Sequence, residues 1–301
     1  MAWPTTRRPS DALTGEFVAE LWSSKVINHV RSYLVCAQVV NTTWKDQLAK
    51  GDQVHIPVMT ALTASVVDPS TTAAINASNV QTTFGTTAES VTIDKWYECP
   101  VQIDDSVKAQ SQVGNLLEIA ADNAAYALEK VIDTDVNTLF SGLYTAGGAY
   151  GADGQTFTDD ILIALMEQLD KNDCPREKRS LVGDPSMLAD CYKIDKFMSY
   201  DYSKNPLGNV QNVAGTGGYR GTIVAYNLPV YITNNLTDAT TGSYGVLLHP
   251  DAIGLVIQSA PTVEKDRVAS AASDVIYIRC LWGSDELRDT FGYAFYTRAK
   301  S

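Results

Sequence analysis

Residues 94–141 read DKWYECPVQIDDSVKAQSQVGNLLEIAADNAAYALEKVIDTDVNTLFS. From Ser106 onward this stretch carries the strongest helical periodicity of the chain. Val113, Leu116, Leu117, Ala120, Ala124, Ala127, Leu128, Val131, Ile132 and Leu139 keep to one stripe at helical spacing. Asp104, Asp105 and Ser106 supply N-cap chemistry and favourable charge for the helix dipole. Gly142 is the stop. The spacing predicts one helix of ~34 residues, about 50 Å long, with Gly114 a weak point in its first turns. Average helices run to about 11 or 12 residues, so a helix this long points to an elongated molecule.

Upstream, residues 50–95 differ in character. GDQVHIPVM is strand-like, and a Thr-, Ser-, Ala- and Val-rich stretch follows with no lysine or arginine from Ala61 to Asp94. Two β arms joined around Asp68-Pro69 are expected. Each would hold about 15 residues, or roughly 50 Å of chain at ~3.3 Å per residue. A compact domain of this length has a radius of gyration of only ~19 Å. The ribbon therefore crosses the whole domain or projects from it, and its polarity favours projection. Phe84 is its one large apolar residue near the tip. Further upstream, residues 1–12 read as an irregular arm with Trp3, Arg7 and Arg8, and Leu13 to Val35 reads as an amphipathic helix.

Downstream, GGAYGADGQ (147–155) is a loop and a boundary, after which the pattern turns α/β. Phe157–Leu169 is a helix opened by Thr158. Arg179–Gly183 is a short strand, and Asp184-Pro185 caps and starts the next helix. Residues 222–236 read as two short strands around Asn227-Leu228-Pro229, and 244–258 as mostly strand. Residues 274–298 read as a hairpin, with Ile276, Ile278, Cys280 and Trp282 set against Phe291, Tyr293 and Phe295.

The bulk numbers exclude several functions. The 35 acidic and 23 basic residues give a net charge of −12. Gripping nucleic acid requires neutralising phosphates, so this balance argues against a binding surface for DNA or RNA. It does not exclude an acidic wall that encloses nucleic acid without sticking to it. The first 15 residues hold no apolar segment, so no signal peptide is expected. No apolar run reaches a membrane span. Five widely spaced cysteines (Cys36, Cys99, Cys174, Cys191, Cys280) read as free thiols.

Motifs for chemistry are missing. The three histidines, His29, His55 and His249, are scattered, and no HExxH, CxxC or GxSxG occurs. The acidic pairs Asp104-Asp105 and Asp159-Asp160 fall at helix starts. GTGGYRG (215–221) lacks a P-loop lysine, a dinucleotide spacing and a following helix. It reads as a turn leading into a hairpin, with Arg220 at its shoulder. No catalytic residue, metal site or cofactor is expected.

The order of these elements resembles the tailed-bacteriophage major capsid proteins of the Hong Kong 97 type. GDQVHIPV is similar to that family's entry into its extended E-loop. DKWYECPVQIDD looks like the return into the long spine helix. RSLVGDPSML and YRGTIVAYNLPVYITNNL resemble phrases of its axial (A) domain, and HPDAIGLVIQ the return into its peripheral (P) domain. Each phrase is weakly specific, and their order is the stronger signal.

The resemblance implies an α+β chain in five parts. These are an N-terminal arm and helix (1–49), an E-loop β-ribbon (50–95), a peripheral domain with the spine helix (96–150), an axial domain (151–243), and return strands that are mostly peripheral (244–301). It implies a coat protein, not an enzyme, that self-assembles into pentamers and hexamers. These form an icosahedral virion head around double-stranded DNA, assembled in the host cytoplasm. Implied partners are further copies of the chain, a separate scaffolding protein or else processing of a longer precursor, a cement protein and a portal, with no membrane. Inter-subunit contacts are expected at Trp3, Arg7, Arg8, Asp68, Phe84 and Arg220. The type member crosslinks an E-loop lysine to a neighbour's asparagine. No lysine lies between Lys50 and Lys95 here, so a non-covalent shell is expected. An encapsulin-like nanocompartment and a soluble α/β enzyme are the alternatives.

Overall fold

The computed structural model describes residues 34–44, 51–59, 86–111, 116–143, 150–198, 210–212, 219–223, 226 and 228–298. The chain enters through a four-residue helix, α1 (Cys36–Val39). The predicted helix Leu13–Val35 lies outside these residues except for Leu34 and Val35, which are not helical. Strands β1 (Gln53–Met59) and β2 (Thr86–Thr92) follow and pair antiparallel, from Gln53 opposite Thr92 to Met59 opposite Thr86. These are the two expected arms, and the connection around Asp68 lies outside the described residues. Val54 and Val91, partners across the ribbon, are buried, while Asp52 and Gln53 are exposed.

β3 (Lys95–Asp104) leads into α2 (Asp105–Gln110), and α3 (Leu116–Phe140) comes next. The single helix of ~34 residues is therefore corrected to two. Ser111 is extended (φ −72°, ψ 135°) and ends α2. The physical reason is burial. α2 has no buried side chain to hold it in line, whereas α3 buries Ala124, Leu128, Ile132, Val136 and Phe140 at near i, i+4 steps. Asp104 occupies the N-cap position of α2, yet its side chain makes no capping bond. It accepts instead from Gln102 Nε2 at 3.3 Å.

The next elements follow the sequence signals closely. Thr158 caps α4 (Asp159–Lys171) by accepting from Ile161 N. β4 (Ser180–Gly183) is fully buried. Asp184 caps α5 (Pro185–Cys191), its Oδ1 accepting from Met187 N at 2.9 Å. α6 (Asp195–Met198) is a single turn. Then come β5 (Val210–Asn212), β6 (Tyr219–Ile223), β7 (Leu228–Ile232), β8 (Tyr244–Leu248), β9 (Ile253–Val268), β10 (Ser273–Glu286) and β11 (Gly292–Tyr296).

Two sheets organise these strands. One has six strands in the order β11-β8-β4-β7-β6-β5, with β4 and β7 parallel and the other pairs antiparallel. The other has three, β3-β10-β9, all antiparallel. Residues 244–298 thus supply strands to both. The expected hairpin of 274–298 is corrected by this order. β10 turns back on β9, through Ala272 in the left-handed conformation (φ 46°, ψ 46°). β11 leaves to pair with β8. Both segments alternate apolar residues because both face a core, and alternation alone does not say which sheet a strand joins. Ile276, Ile278, Cys280 and Trp282 share one core cluster with the buried stripe of α3. Phe295 packs on Phe157, 5.2 Å between ring centroids.

The two crossings between the sheets run side by side. One is His249 with the 3-10 turn Pro250–Ala252, and the other is Leu287, Arg288 and the turn Asp289–Phe291. Leu287 N and Arg288 N both donate to Ala252 O, at 2.8 and 3.2 Å, and His249 N donates to Phe291 O at 2.9 Å. The outer edge of β11 is closed by residue 150: Tyr150 N donates to Ala294 O, and Tyr296 N to Tyr150 O.

Candidate functional site

Three polar junctions fix the parts of the chain that approach its surfaces. The first is buried. Asp133 and Asn137 sit one helical turn apart within the apolar stripe of α3, both with no exposed area. Asp133 Oδ1 accepts from Cys36 N (2.8 Å) and Ala37 N (3.2 Å), and its Oδ2 from Asn235 Nδ2 (2.9 Å). Asn137 Nδ2 donates to Asn235 O, and the Cys36 thiol to Asn137 Oδ1. One helical turn thereby ties the incoming segment to α3 and to the loop after β7. Burial pushes the Asp133 carboxyl above its ordinary range, against the pull of its donors.

The second junction is Asp135, two residues on. Its Oδ2 accepts from Lys95 Nζ (2.7 Å), Ser284 Oγ (2.6 Å) and Trp282 Nε1 (3.1 Å). It thus pins β3 and β10 to α3. The opposite face of the same sheet carries the root of the ribbon: Val54, Val91 and Ile93 form a small core with Val256, against which Leu281 and Trp44 pack. Contact is close enough that a Cβ on Gly283 would lie 2.1 Å from Thr92 O.

The third junction is partly exposed and lies where the β9–β10 hairpin meets α2. Arg267 donates to Asp105 and Asp274, and Lys108 Nζ to Asp274 Oδ2 at 2.6 Å. Lys108 and Arg267 hold the Asp274 carboxyl far below the usual carboxylate range. Such exposed pairs add little stability and mainly fix where the hairpin points.

Two clefts open among the described residues. One, of about 440 Å³, lies between Asn41, Thr43, Lys178, His249 and Asp251. Burial lowers the His249 pKa, against the pull of Asp251 and aided by the Lys178, Arg179 and Arg288 charges. The other, of about 480 Å³, is lined by Ile163, Met166 and Tyr226. All five cysteines are free. Burial pushes the Cys191 thiol up to about 12 and Cys280 up to about 11, and it also raises Cys36 and Cys174. Such thiols are poor nucleophiles. Among the described residues no cluster of three His, Cys, Asp or Glu could hold a metal ion. No described helix is long and apolar enough to cross a membrane.

No protein-family model matches the chain. No curated protein matches it. Solved structures do. A chain from Mycobacterium phage Che8 superposes with a TM-score of 0.74 at 24% identity, over 94% of this chain and 98% of that one. A chain of the capsid of cyanophage P-SCSP1u gives 0.69 at 15% identity, over 95% and 94%. One from the mature capsid of bacteriophage PhiM1 gives 0.66 at 14%, over 93% and 92%. The chain has the phage major capsid protein fold. Coverage of 94% of this chain means that the likeness to the Che8 chain is not confined to one module.

Within this capsid fold, the expected contact residues are distributed unevenly. Trp3, Arg7, Arg8, Asp68 and Phe84 lie outside the described residues. Arg220 is inside β6, opposite Tyr231, rather than at the shoulder of a loop. β5, which pairs with the other edge of β6, had no signal in the sequence reading, and Leu228 and Pro229 belong to β7 itself. Sheet pairing on both sides of β6 overrides what its glycine content suggests. Asp133 and Asn137 were missed as well, although a polar pair at i, i+4 inside an apolar stripe was a usable signal. So was Trp96, discussed below.

Proposed function

We propose that this chain is the major capsid protein of a tailed bacteriophage: a coat subunit whose copies form pentamers and hexamers of an icosahedral head around double-stranded DNA. The observation that carries this reading is the likeness to the Che8 chain over nearly the whole of both chains. The chain also resembles that of a gene-transfer-agent capsid, at a TM-score of 0.63 and 14% identity. In this reading β1 and β2 root the E-loop (50–95), α3 is the spine helix of the peripheral part (96–150), and the six-stranded sheet forms the axial domain built around 151–243. The arm (1–49) and the ribbon tip reach neighbouring subunits, with Trp3, Arg7, Arg8, Asp68 and Phe84 as contacts and Arg220 as a further contact near the capsomer axis. Residues 244–301 return through both sheets. A scaffolding protein, a cement protein and a portal complete the head.

The reading is a structural role in which the acidic charge keeps packaged DNA from adhering. Negative-stain electron microscopy of particles from the producing lysate, with nuclease-protected nucleic acid extracted from them, tests it. Closed shells holding double-stranded DNA are expected. A small oligomer on size exclusion with no particles overturns the reading, and shells holding protein cargo without DNA turn it toward a nanocompartment. With no lysine at residues 51–94, subunits from mature heads should run as monomers on a denaturing gel, and a covalent ladder would contradict this.

A further inference from the structure

The face of the three-stranded sheet turned away from α3 is only partly covered. The ribbon root seals one end, over Val256 and Leu281. Beyond it Trp96, Glu98 and Pro100 are exposed, and the side chains of this face follow from the register. Trp96 pairs with Leu281, Glu98 with Arg279 and Pro100 with Tyr277, while Glu264 lies opposite Tyr277 and Asp266 opposite Val275. Trp96 is 66% exposed, the largest exposure among the big apolar side chains of the described residues. Its indole makes no hydrogen bond or ring contact with another described residue. Arg279 bridges Glu98 (3.0 Å) and Glu264 (2.9 Å) and lies over the Tyr277 ring at 5.1 Å. The face therefore offers the exposed Trp96 indole at one end and, past the Glu98–Arg279 pair, Pro100 and a Tyr277 ring that Arg279 covers. Three carboxylates, Glu98, Glu264 and Asp266, outnumber one guanidinium, Arg279.

An occupant of matching chemistry exists in the chain itself. Residues 1–10, MAWPTTRRPS, carry two arginines, no acid, two prolines and a tryptophan. They lie at the far end of a 33-residue segment ahead of the described chain, whose exit direction Asp133 fixes at Cys36. Prolines and tryptophan stack on aromatic platforms with little loss of conformational entropy, and arginines pair with carboxylates and aromatic faces.

We propose that the Trp96 face receives residues 1–10 of a second copy of the chain, with Arg7 and Arg8 over the Glu98–Glu264–Asp266 side and the prolines against Trp96. This rests on the shell reading above, and it names the landing site of the arm. Trp96 is then the anchor of the contact, since truncated aromatic anchors at interface centres dominate affinity.

Two measurements test it. In the first, a labelled peptide MAWPTTRRPS is titrated onto the unassembled full-length chain and followed by anisotropy. Binding is expected that weakens ~10-fold or more for the Trp96→Ala chain, or for a peptide carrying Arg7→Glu and Arg8→Glu. No binding, or equal binding by the Trp96→Ala chain, overturns the proposal whether or not shells form. In the second, a photo-reactive residue replaces Trp3 in isotopically light and heavy chains mixed before assembly. Cross-links from position 3 to residues 95–100 or 277–281 should join light chains to heavy ones. Same-isotope pairs alone would mean docking within one chain, and links elsewhere a different surface; either result overturns the proposal. Particle formation is scored separately by microscopy, so absent shells count against the shell reading, and intact shells without these links count against this inference alone.

Discussion

Truncating Asp133 separates the two roles a buried carboxylate can play. Asp133→Ala removes the acceptor for Cys36 N, Ala37 N and Asn235 Nδ2 at once. A buried donor left without a partner costs about 1–3 kcal/mol. Cys36 is fully buried, while Ala37 and Asn235 reach water in part, so the sum falls near 3 kcal/mol. Loss of a desolvated charge works the other way, because burial already disfavours ionised Asp133. That gain is shared by Asp133→Asn, whose side-chain oxygen still serves both backbone donors. The difference between the two variants therefore isolates the acceptor. We expect the Asn variant to be more stable than the Ala variant by about 2 kcal/mol, a factor of ~30 in the folding equilibrium. Urea unfolding of the unassembled subunit reads this as a shift of midpoint at constant slope. If the two variants unfold together, or both match the parent within about 0.5 kcal/mol, the junction does not hold the incoming segment as argued.

Three further outcomes follow from the same geometry. Because the folded-state pKa of Asp133 is raised, the folded chain binds a proton in a window just above the ordinary carboxylate value where the unfolded chain does not. The parent's stability relative to Asp133→Asn should therefore decline as pH rises through that window, and urea midpoints between pH 4 and 7 that show no such trend would refute the assignment. Gly283→Ala places a Cβ against the Thr92 carbonyl. It should cost about 1–3 kcal/mol and speed hydrogen exchange of the 86–92 amides, marking a lifted ribbon root. Ala272→Gly relieves a left-handed residue at an exposed turn and should stabilise the subunit by about 0.5–1 kcal/mol in thermal unfolding.

What was legible in the sequence was local. Thr158 and Asp184-Pro185 announce their helices because a cap and its donor lie within three residues of each other. The α3 stripe is legible because every residue in it answers to one face. The break at Ser111 was not, since it depends on α2 having nothing to pack against. Nor was the seat of β10 beside β3, whose partners lie up to 187 positions apart, as Lys95 is from Trp282, or the departure of β11 to pair with β8. As for the candidate site, the charged and aromatic residues singled out fall on segments the structure does not describe, save Arg220. Trp96 was passed over because an isolated tryptophan in a strand looks the same whether it faces a core or water. Only the register with Leu281, and the place where the ribbon root stops, show that it faces out.

The paired crossings at Ala252 and Leu287 have a mechanical consequence. Two peptide segments bonded to each other side by side act as a leaf hinge, not as a swivel. Turning one sheet about the other's axis would shear the bonds from Leu287 N and Arg288 N to Ala252 O and from His249 N to Phe291 O, whereas folding along the line between the straps leaves them whole. In the proposed shell, a subunit with such a joint takes up differences in local curvature along that one angle, within the play that the core shared by both sheets allows.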